Sequence, residues 1–408
     1  MCQPLRARPS TRFRALLVCI VTAAAVVSCG TPTPGSTHPG LTASPTSSGN
    51  PVATPEGSAA CVSRTLAAMT EQQRVGQLFL LGIQADHLST AETEVIETYH
   101  LGSVWLVHTR KSGVAGIGTL AADIQGLATK ANTDGVRFFV AADQEGGEVQ
   151  RLTGPGFSVI PSALEQGQLS PATLEGDAAG WGRELLAAGV NLDLAPVMDV
   201  VPPGSDATNA PIGALAREYG HDPTTVGSHG VAVTEGMAQA GIATTLKHFP
   251  GLGRVAGNTD TVAGVVDSTT TANDPYLEAF RTGIAAGAPF VMVSLATYSA
   301  IDPDHQAVFS PTIIGTLLRG QLGFDGVVMS DDLGTAASVT SMAPGDRATA
   351  FVAAGGDIMI VGGVAPAIQM AGAVLARARS DPSFAAQVDA AALRVVRAKE
   401  AYGLLTCG

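Results

Sequence analysis

The sequence predicts an α/β fold, a single (β/α)8 TIM barrel over residues 61–408, on three observations. Eight short runs of β-branched and other apolar residues recur along this region. Segments rich in Ala, Leu, Glu and Arg separate them, and these segments carry helix-start chemistry. The runs lack strict apolar–polar alternation, which marks strands buried on both faces, as in a parallel sheet beneath helices. Eight β/α units in about 350 residues fit one barrel.

In chain order the strand-like runs are Phe79–Ile83, Ser103–Val107, Arg137–Asp143, Asn191–Val197, Ala243–Phe249, Phe290–Leu295, Gly326–Ser330 and Asp357–Val361. Helical patterns between them include Val114–Ala131, Pro171–Ala188, Pro223–Gln239, Asp274–Ala286 and Pro311–Gly320. Ser170-Pro171 and Ser310-Pro311 each read as an N-cap followed by a proline in the first turn, where its missing N–H is no loss. A doubly wound open sheet is the competing fold. No Gly-x-Gly-x-x-Gly follows the first strand, which weakens it.

The first 60 residues read differently. Residues 1–28 have the form of a secretory signal: Arg6, Arg8, Arg12 and Arg14 precede an apolar run from Ala15 to Val27. That run is too short to span a bilayer, which takes about 20 residues. Val26-Val27-Ser28-Cys29 resembles the bacterial lipobox, in which the cysteine becomes the lipidated N-terminus. Residues 29–60 are rich in Thr, Pro, Ser and Gly, with little to bury, and so read as a solvated spacer. Together they predict a lipoprotein tethered to the outer face of the cell membrane, a layout that suits a Gram-positive envelope. Of five cysteines, Cys2 and Cys19 leave with the signal and Cys29 takes lipid, which leaves Cys61 and Cys407. In an exported protein two such thiols are expected to pair, and a closed barrel brings its ends close enough.

Composition narrows the function. The formal charge is −12, and loss of the four signal arginines leaves 19 basic against 35 acidic residues, or −16. Such a surface repels phosphate backbones and argues against nucleic-acid binding. There is no His-x-x-x-His, Cys/His cluster or Walker loop, so no metal or nucleotide cofactor is expected. No Gly-x-Ser-x-Gly is present either, against a common serine hydrolase. In a barrel, chemistry gathers at the C-terminal ends of strands. There the third run is followed by Asp143-Gln144-Glu145-Gly146-Gly147 and Arg151, and the fourth by Asp193 and Asp199 around Ala195-Pro196. The fifth ends in Lys247-His248-Phe249-Pro250-Gly251 and the seventh in Ser330-Asp331-Asp332-Leu333. Lys247 is the one lysine of four that ends a predicted strand beside a histidine, and in an apolar setting it needs partners. Of Asp331 and Asp332, one is expected to cap the following turn while the other faces the mouth. Carboxylates and donors without a cofactor suit glycoside chemistry.

These residues carry a resemblance. Asp143-Gln144-Glu145-Gly146-Gly147 with Arg151, Lys247-His248-Phe249-Pro250-Gly251-x-Gly253 and Phe324-Asp325-Gly326-Val327-Val328-x-Ser330-Asp331-Asp332-Leu333 resemble glycoside hydrolase family 3, and within it the single-domain β-N-acetylhexosaminidase branch. Asn191–Val197 and Arg217-Glu218-Tyr219-Gly220 also fit, and the likeness spans about residues 65–405 in order. The resemblance implies a retaining exo-β-N-acetylglucosaminidase that acts on peptidoglycan-derived glycans without a cofactor. It makes Asp331 the nucleophile, and Asp143, Arg151, Arg217, Lys247 and His248 the groups that grip the terminal N-acetylglucosamine. A monomer is expected.

One segment departs from the branch. The branch has Asp-Ser-His in the loop after the Lys-His-Phe-Pro-Gly strand, its histidine serving as acid/base; this chain has Asn258-Thr259-Asp260. Asp260 is the leading candidate for the proton donor, with Asn258 as its hydrogen-bond partner and closure over sugar favouring the acid form. Asp267, a water or another carboxylate of the loop is the alternative. Leu295, where a polar side chain is common, puts one rim contact in question. The competing functions are a β-glucosidase or a phosphorylase on the same barrel, and a sugar-binding lipoprotein without catalysis.

Overall fold

In a computed structural model, residues 55–407 are described. The signal segment, Cys29 and residues 29–54 of the expected spacer lie outside the described residues. The chain is helical over Pro55–Ala68, so structure begins ahead of the residue-61 boundary read from composition.

Eight parallel strands close into a barrel: β1 (Phe79–Ile83), β2 (Ser103–Leu106), β3 (Phe139–Ala142), β4 (Leu192–Asp193), β5 (Ala243–Phe249), β6 (Phe290–Val293), β7 (Val327–Asp332) and β8 (Ile358–Val361). Neighbours follow chain order, and β1 pairs with both β2 (Leu80↔Ser103) and β8 (Phe79↔Met359). The (β/α)8 barrel read from the sequence is therefore the fold. Leu80, Phe139, Ala141, Leu192, Phe290, Met292, Met329 and Ile360 pack together as one buried cluster inside the barrel. Their alternate neighbours Leu81, Val140, Val291, Val328 and Met359 belong to the layer under the helices. Both faces are apolar, which removes the alternation a half-exposed strand would show. Phe139 and Phe290 meet edge-to-face inside, ring centres 5.3 Å apart.

Strand boundaries differ where proline or a side-chain ladder intervenes. The fourth run keeps regular pairing only at Leu192–Asp193. Pro196 has no N–H for the ladder, and the chain rejoins β5 through a single Val197↔Lys247 bridge. Asp357 lies ahead of β8, its carboxylate bound to Arg319 (2.6 Å), Arg394 (2.8 Å) and the Val328 N–H (2.7 Å). The Pro171 and Pro223 helices start as expected, with the side chains of Ser170 and Asp222 accepting N-cap hydrogen bonds. The helix expected from Val114 to Ala131 breaks in two, Gly113–Gly126 and Lys130–Thr133, the second capped by Thr129. The segment from Thr312 to Gln321 is a π-helix, its wider turns closed by the Leu322 N–H on the Leu317 carbonyl.

The floor of the barrel is closed by the C-terminal helix Pro382–Ala401, from which Val395 joins the interior cluster with Leu404 beyond it. Lys399 is fully buried here. Its ammonium donates to Gln77 Oε1 (2.7 Å) and the Gly102 carbonyl (2.6 Å) without a carboxylate, and burial pulls its pKa down to about 7. Cys61 and Cys407 are disulfide-bonded, with Cα atoms 5.7 Å apart, as the cysteine count led one to expect.

Candidate active site

The strand ends open into a cleft of about 490 Å³ whose walls include Asp143, Arg151, Arg217, Lys247, His248, Asp260 and Asp331. Every catalytic or sugar-gripping residue singled out from the sequence thus reaches one cavity. Its base is apolar, formed by Leu194, Met292 and Ile360 of the barrel interior.

One wall is a charged cluster built on Lys247. After β3 the chain makes a tight hairpin, Gln144–Gly146 against Val149–Gln150. The φ of +105° at Gly146 and the Pro161 carbonyl beside it leave no room for a Cβ. The hairpin presents Asp143 and Glu145 inward, both buried. Lys247 Nζ lies 2.6 Å from Asp143 Oδ1 and 2.6 Å from Glu145 Oε1. Arg217 grips Glu145 from the other side, Nε to Oε2 at 2.8 Å and Nη2 to Oε1 at 2.7 Å. Trp105, near the end of β2, donates its indole N–H to Asp143 Oδ2 at 2.9 Å. Burial alone would raise the pKa of Glu145, but the charges of Arg217 and Lys247 and their hydrogen bonds hold it far below the usual range. For Lys247 burial opposes the charge, and Asp143 and Glu145 outweigh it, so the pKa rises and the ammonium persists. Of its three N–H donors two are committed, which leaves one for a ligand.

A second wall is set by Asp199. Its Oδ2 lies 2.7 Å from His248 Nδ1, and its Oδ1 accepts the N–H groups of His248 (3.2 Å) and Leu252 (2.7 Å). With Nδ1 occupied, His248 has Nε2 left for the cleft. Lys247-His248 and Phe249-Pro250 are cis peptides. Asp193 is fully buried beneath the cluster; its Oδ1 accepts the Gln144 N–H at 3.0 Å, its Oδ2 has no partner, and burial pushes its pKa up to about 7.

The two aspartates that end β7 divide their work. Asp332 accepts the N–H groups of Gly334 (2.7 Å) and Gly362 (2.8 Å) through Oδ1, and those of Thr335, hydroxyl included, through Oδ2. It ties β7 to the turn after β8. Asp331 makes one such bond, from the Asp332 N–H (2.8 Å), and is half-buried with its carboxylate in the cleft. Burial, with the nearby negative charge of Asp260, pushes its pKa up to about 6, against the pull of His248.

Asp260 reaches the cleft from the loop after β5 and is exposed there. The loop is pinned beside Asp331: the Ala337 N–H donates to the Asp260 carbonyl (3.0 Å) and that of Ser338 to the Thr259 carbonyl (3.1 Å). Asn258 uses its side-chain oxygen on the Asp260 backbone N–H (2.9 Å), so it shapes the turn and leaves the Asp260 carboxylate alone. Asp267 is no rival. Its oxygens accept from Thr269 and Thr270 in a buried turn away from the cleft. Leu295 is fully buried and does not line the cleft; from β6 it is Met292 that does. Sequence reasoning gave no role to Trp105, although an indole near the end of a barrel strand, with a polar N–H to place, is itself a signal. Glu145 and Asp199 are the hubs of the two walls, a role that their local sequence does not announce.

Residues 70–398 match the glycosyl hydrolase family 3 N-terminal domain. A beta-hexosaminidase of Stenotrophomonas maltophilia K279a is 34% identical over 300 residues, 70% of this chain and 83% of the relative. Another, from Xylella fastidiosa M23, is 35% identical over 268 residues, 64% of this chain and 76% of the relative. Among solved structures, the β-N-acetylhexosaminidase from Beutenbergia cavernae superposes with a TM-score of 0.80 at 51% identity, covering 81% of this chain and 98% of that one. A family 3 β-N-acetylglucosaminidase from Paenibacillus gives 0.75 at 29% identity, with 82% and 63% covered. The barrel, the motifs at its strand ends and a match over most of its length place this chain in glycosyl hydrolase family 3.

Proposed function

We propose that the protein is a retaining exo-β-N-acetylglucosaminidase that removes terminal N-acetylglucosamine from peptidoglycan-derived glycans outside the cell membrane. The observation that carries this reading is the half-buried carboxylate of Asp331, set over an apolar base and faced by charged donors. In a first step Asp331 would attack the anomeric carbon, forming a glycosyl ester as the bond to the leaving oxygen breaks. Asp260 would give that oxygen its proton, then take one from the water that cleaves the ester, and both carboxyl groups end as they began. The free N–H of Lys247, the Arg151 guanidinium and His248 Nε2 suit sugar hydroxyls, and Asp143 suits acceptance from them. A base closed by Leu194, Met292 and Ile360 admits a sugar from one end, which supports exo action. The carboxylate of Asp260 at the leaving-group side repels phosphate and favours water as the acceptor over phosphorolysis.

Aryl-glycoside assays on cell fractions test both parts. Aryl N-acetyl-β-glucosaminide is expected to be cleaved at least about tenfold more efficiently than aryl β-glucoside, without added phosphate. The activity is expected in the membrane fraction, and in the medium for Cys29→Ser. Preference for the glucoside, or a need for phosphate, would refute the substrate assignment; unchanged partition of Cys29→Ser would refute the tether.

Asp260→Ala is expected to leave glycosylation by an activated aryl substrate nearly intact and to slow a natural disaccharide by about 10²–10⁴-fold. The same variant bears on pH. Asp331 attacks only when ionised, so kcat/KM should fall below about pH 6, where its raised pKa leaves it neutral. Removing the Asp260 charge lifts one cause of that rise, and the acidic limb should move to lower pH. Equal small losses on both substrates, with the limb unmoved, would exclude Asp260 as the acid.

A further inference from the structure

Behind the cleft wall, in the excursion between β4 and the helix Pro223–Gln239, three side chains that the proposed reaction does not use come together: Asp206, Glu218 and His221. Their ligand-capable atoms all lie within 4.8 Å of one another. Glu218 is 0% exposed; its carboxylate faces that of Asp206, and neither of its oxygens has a donor from another side chain or from the backbone of a neighbouring element. Asp206 Oδ1 is likewise buried and unpartnered, and stands 3.6 Å from His221 Nδ1. That nitrogen also lies 3.2 Å from the Val201 carbonyl oxygen. Two carboxylates with three orphaned buried oxygens are costly unless a cation or a shared proton joins them. Among the described residues the cation is not an arginine or lysine: Arg217, next in the chain to Glu218, turns away to Glu145.

We infer that Asp206, Glu218 and His221 form a binding site for a divalent first-row transition-metal ion. Two carboxylates and a neutral imidazole match such an ion in charge and in donor type. An imidazole in so small a set disfavours Ca²⁺ and Mg²⁺, which take oxygen ligands. Side chains of Asp206 and His221 are 38% and 35% exposed, so the ion has a path in and water can complete its shell. No sequence motif announces the trio, since it is assembled from two separate turns. The ion's role is positional. It joins the turn Asp206–Thr208 to the segment from Arg217 to His221, and so fixes the backbone from which Arg217 reaches Glu145.

The test is titration of chelator-treated full-length protein with ZnCl₂ and MnCl₂, read by calorimetry and by thermal unfolding. One equivalent is expected to bind and raise Tm. His221→Ala and Glu218→Gln should each weaken this binding by about tenfold or more, while His248→Ala retains it. His221 reaches the surface, so its variant carries the test even if Glu218→Gln fails to fold. No binding by the wild type, unchanged binding by His221→Ala, or loss confined to His248→Ala would overturn the proposal; the last would place the metal in the cleft instead.

Discussion

Asp331→Asn is expected to lower kcat/KM on the order of 10⁵-fold, equivalent to about 7 kcal/mol of transition-state stabilisation. The amide keeps the shape of the side chain and can still accept the Asp332 N–H through its oxygen, so folding should survive. What disappears is the oxygen proposed as the nucleophile. Asp332, one residue on, cannot substitute, because its oxygens are spent on Gly334, Thr335 and Gly362. A 5-fluoro N-acetylglucosaminyl donor should label the wild type on the peptide containing Asp331 and leave the variant unlabelled. A label on any other residue, or substantial turnover by the variant, would rule out the assigned nucleophile. Asp332→Asn makes an instructive comparison, since its cost should appear mainly as lost stability of the β7–β8 join.

Lys247→Met is expected to cost about 3–5 kcal/mol of stability and to abolish useful substrate binding together. Methionine fills much of the same volume, so a cavity is not the cause. The loss comes from leaving Asp143 with only the Trp105 N–H and Glu145 with only Arg217, both carboxylates still buried. Denaturant unfolding measures the stability part. Glu145 adds a pH signature, since its folded pKa is depressed below the ordinary 4.5. The stability it supplies is present above that pH and is lost as acid brings the pH down toward its folded value. In Lys247→Met part of that depression is gone, so acid should destabilise the variant less steeply. If it proves as stable as wild type with the same acid profile, the cluster does not hold the wall as described.

The barrel was legible in the sequence because strands covered on both faces must be apolar on both, and eight such runs are hard to produce otherwise. The motif residues were legible because strand ends are where a barrel keeps its chemistry. What escaped has a common physical origin in contacts between distant segments. Lys247 meets Asp143 across 104 positions of sequence, and no local pattern states that Glu145 would be shared between Lys247 and Arg217. Asn258 illustrates the limit in the other direction. Its position beside Asp260 was plain, but whether an amide serves a carboxylate or a backbone N–H depends on the turn, and the turn chose the backbone. The truncation of β4 was half-visible in Pro196, which can accept but cannot donate.

The helix Pro55–Ala68 packs on the C-terminal helix at the closed end of the barrel, where Val62, Met69, Val136 and Val396 form a small cluster beside the Cys61–Cys407 bond. The first and last described segments therefore both lie at the pole opposite the mouth. The disulfide joins the first described helix to the far end of the chain there, so a load on either end would be shared at that pole and would not reach the strand ends.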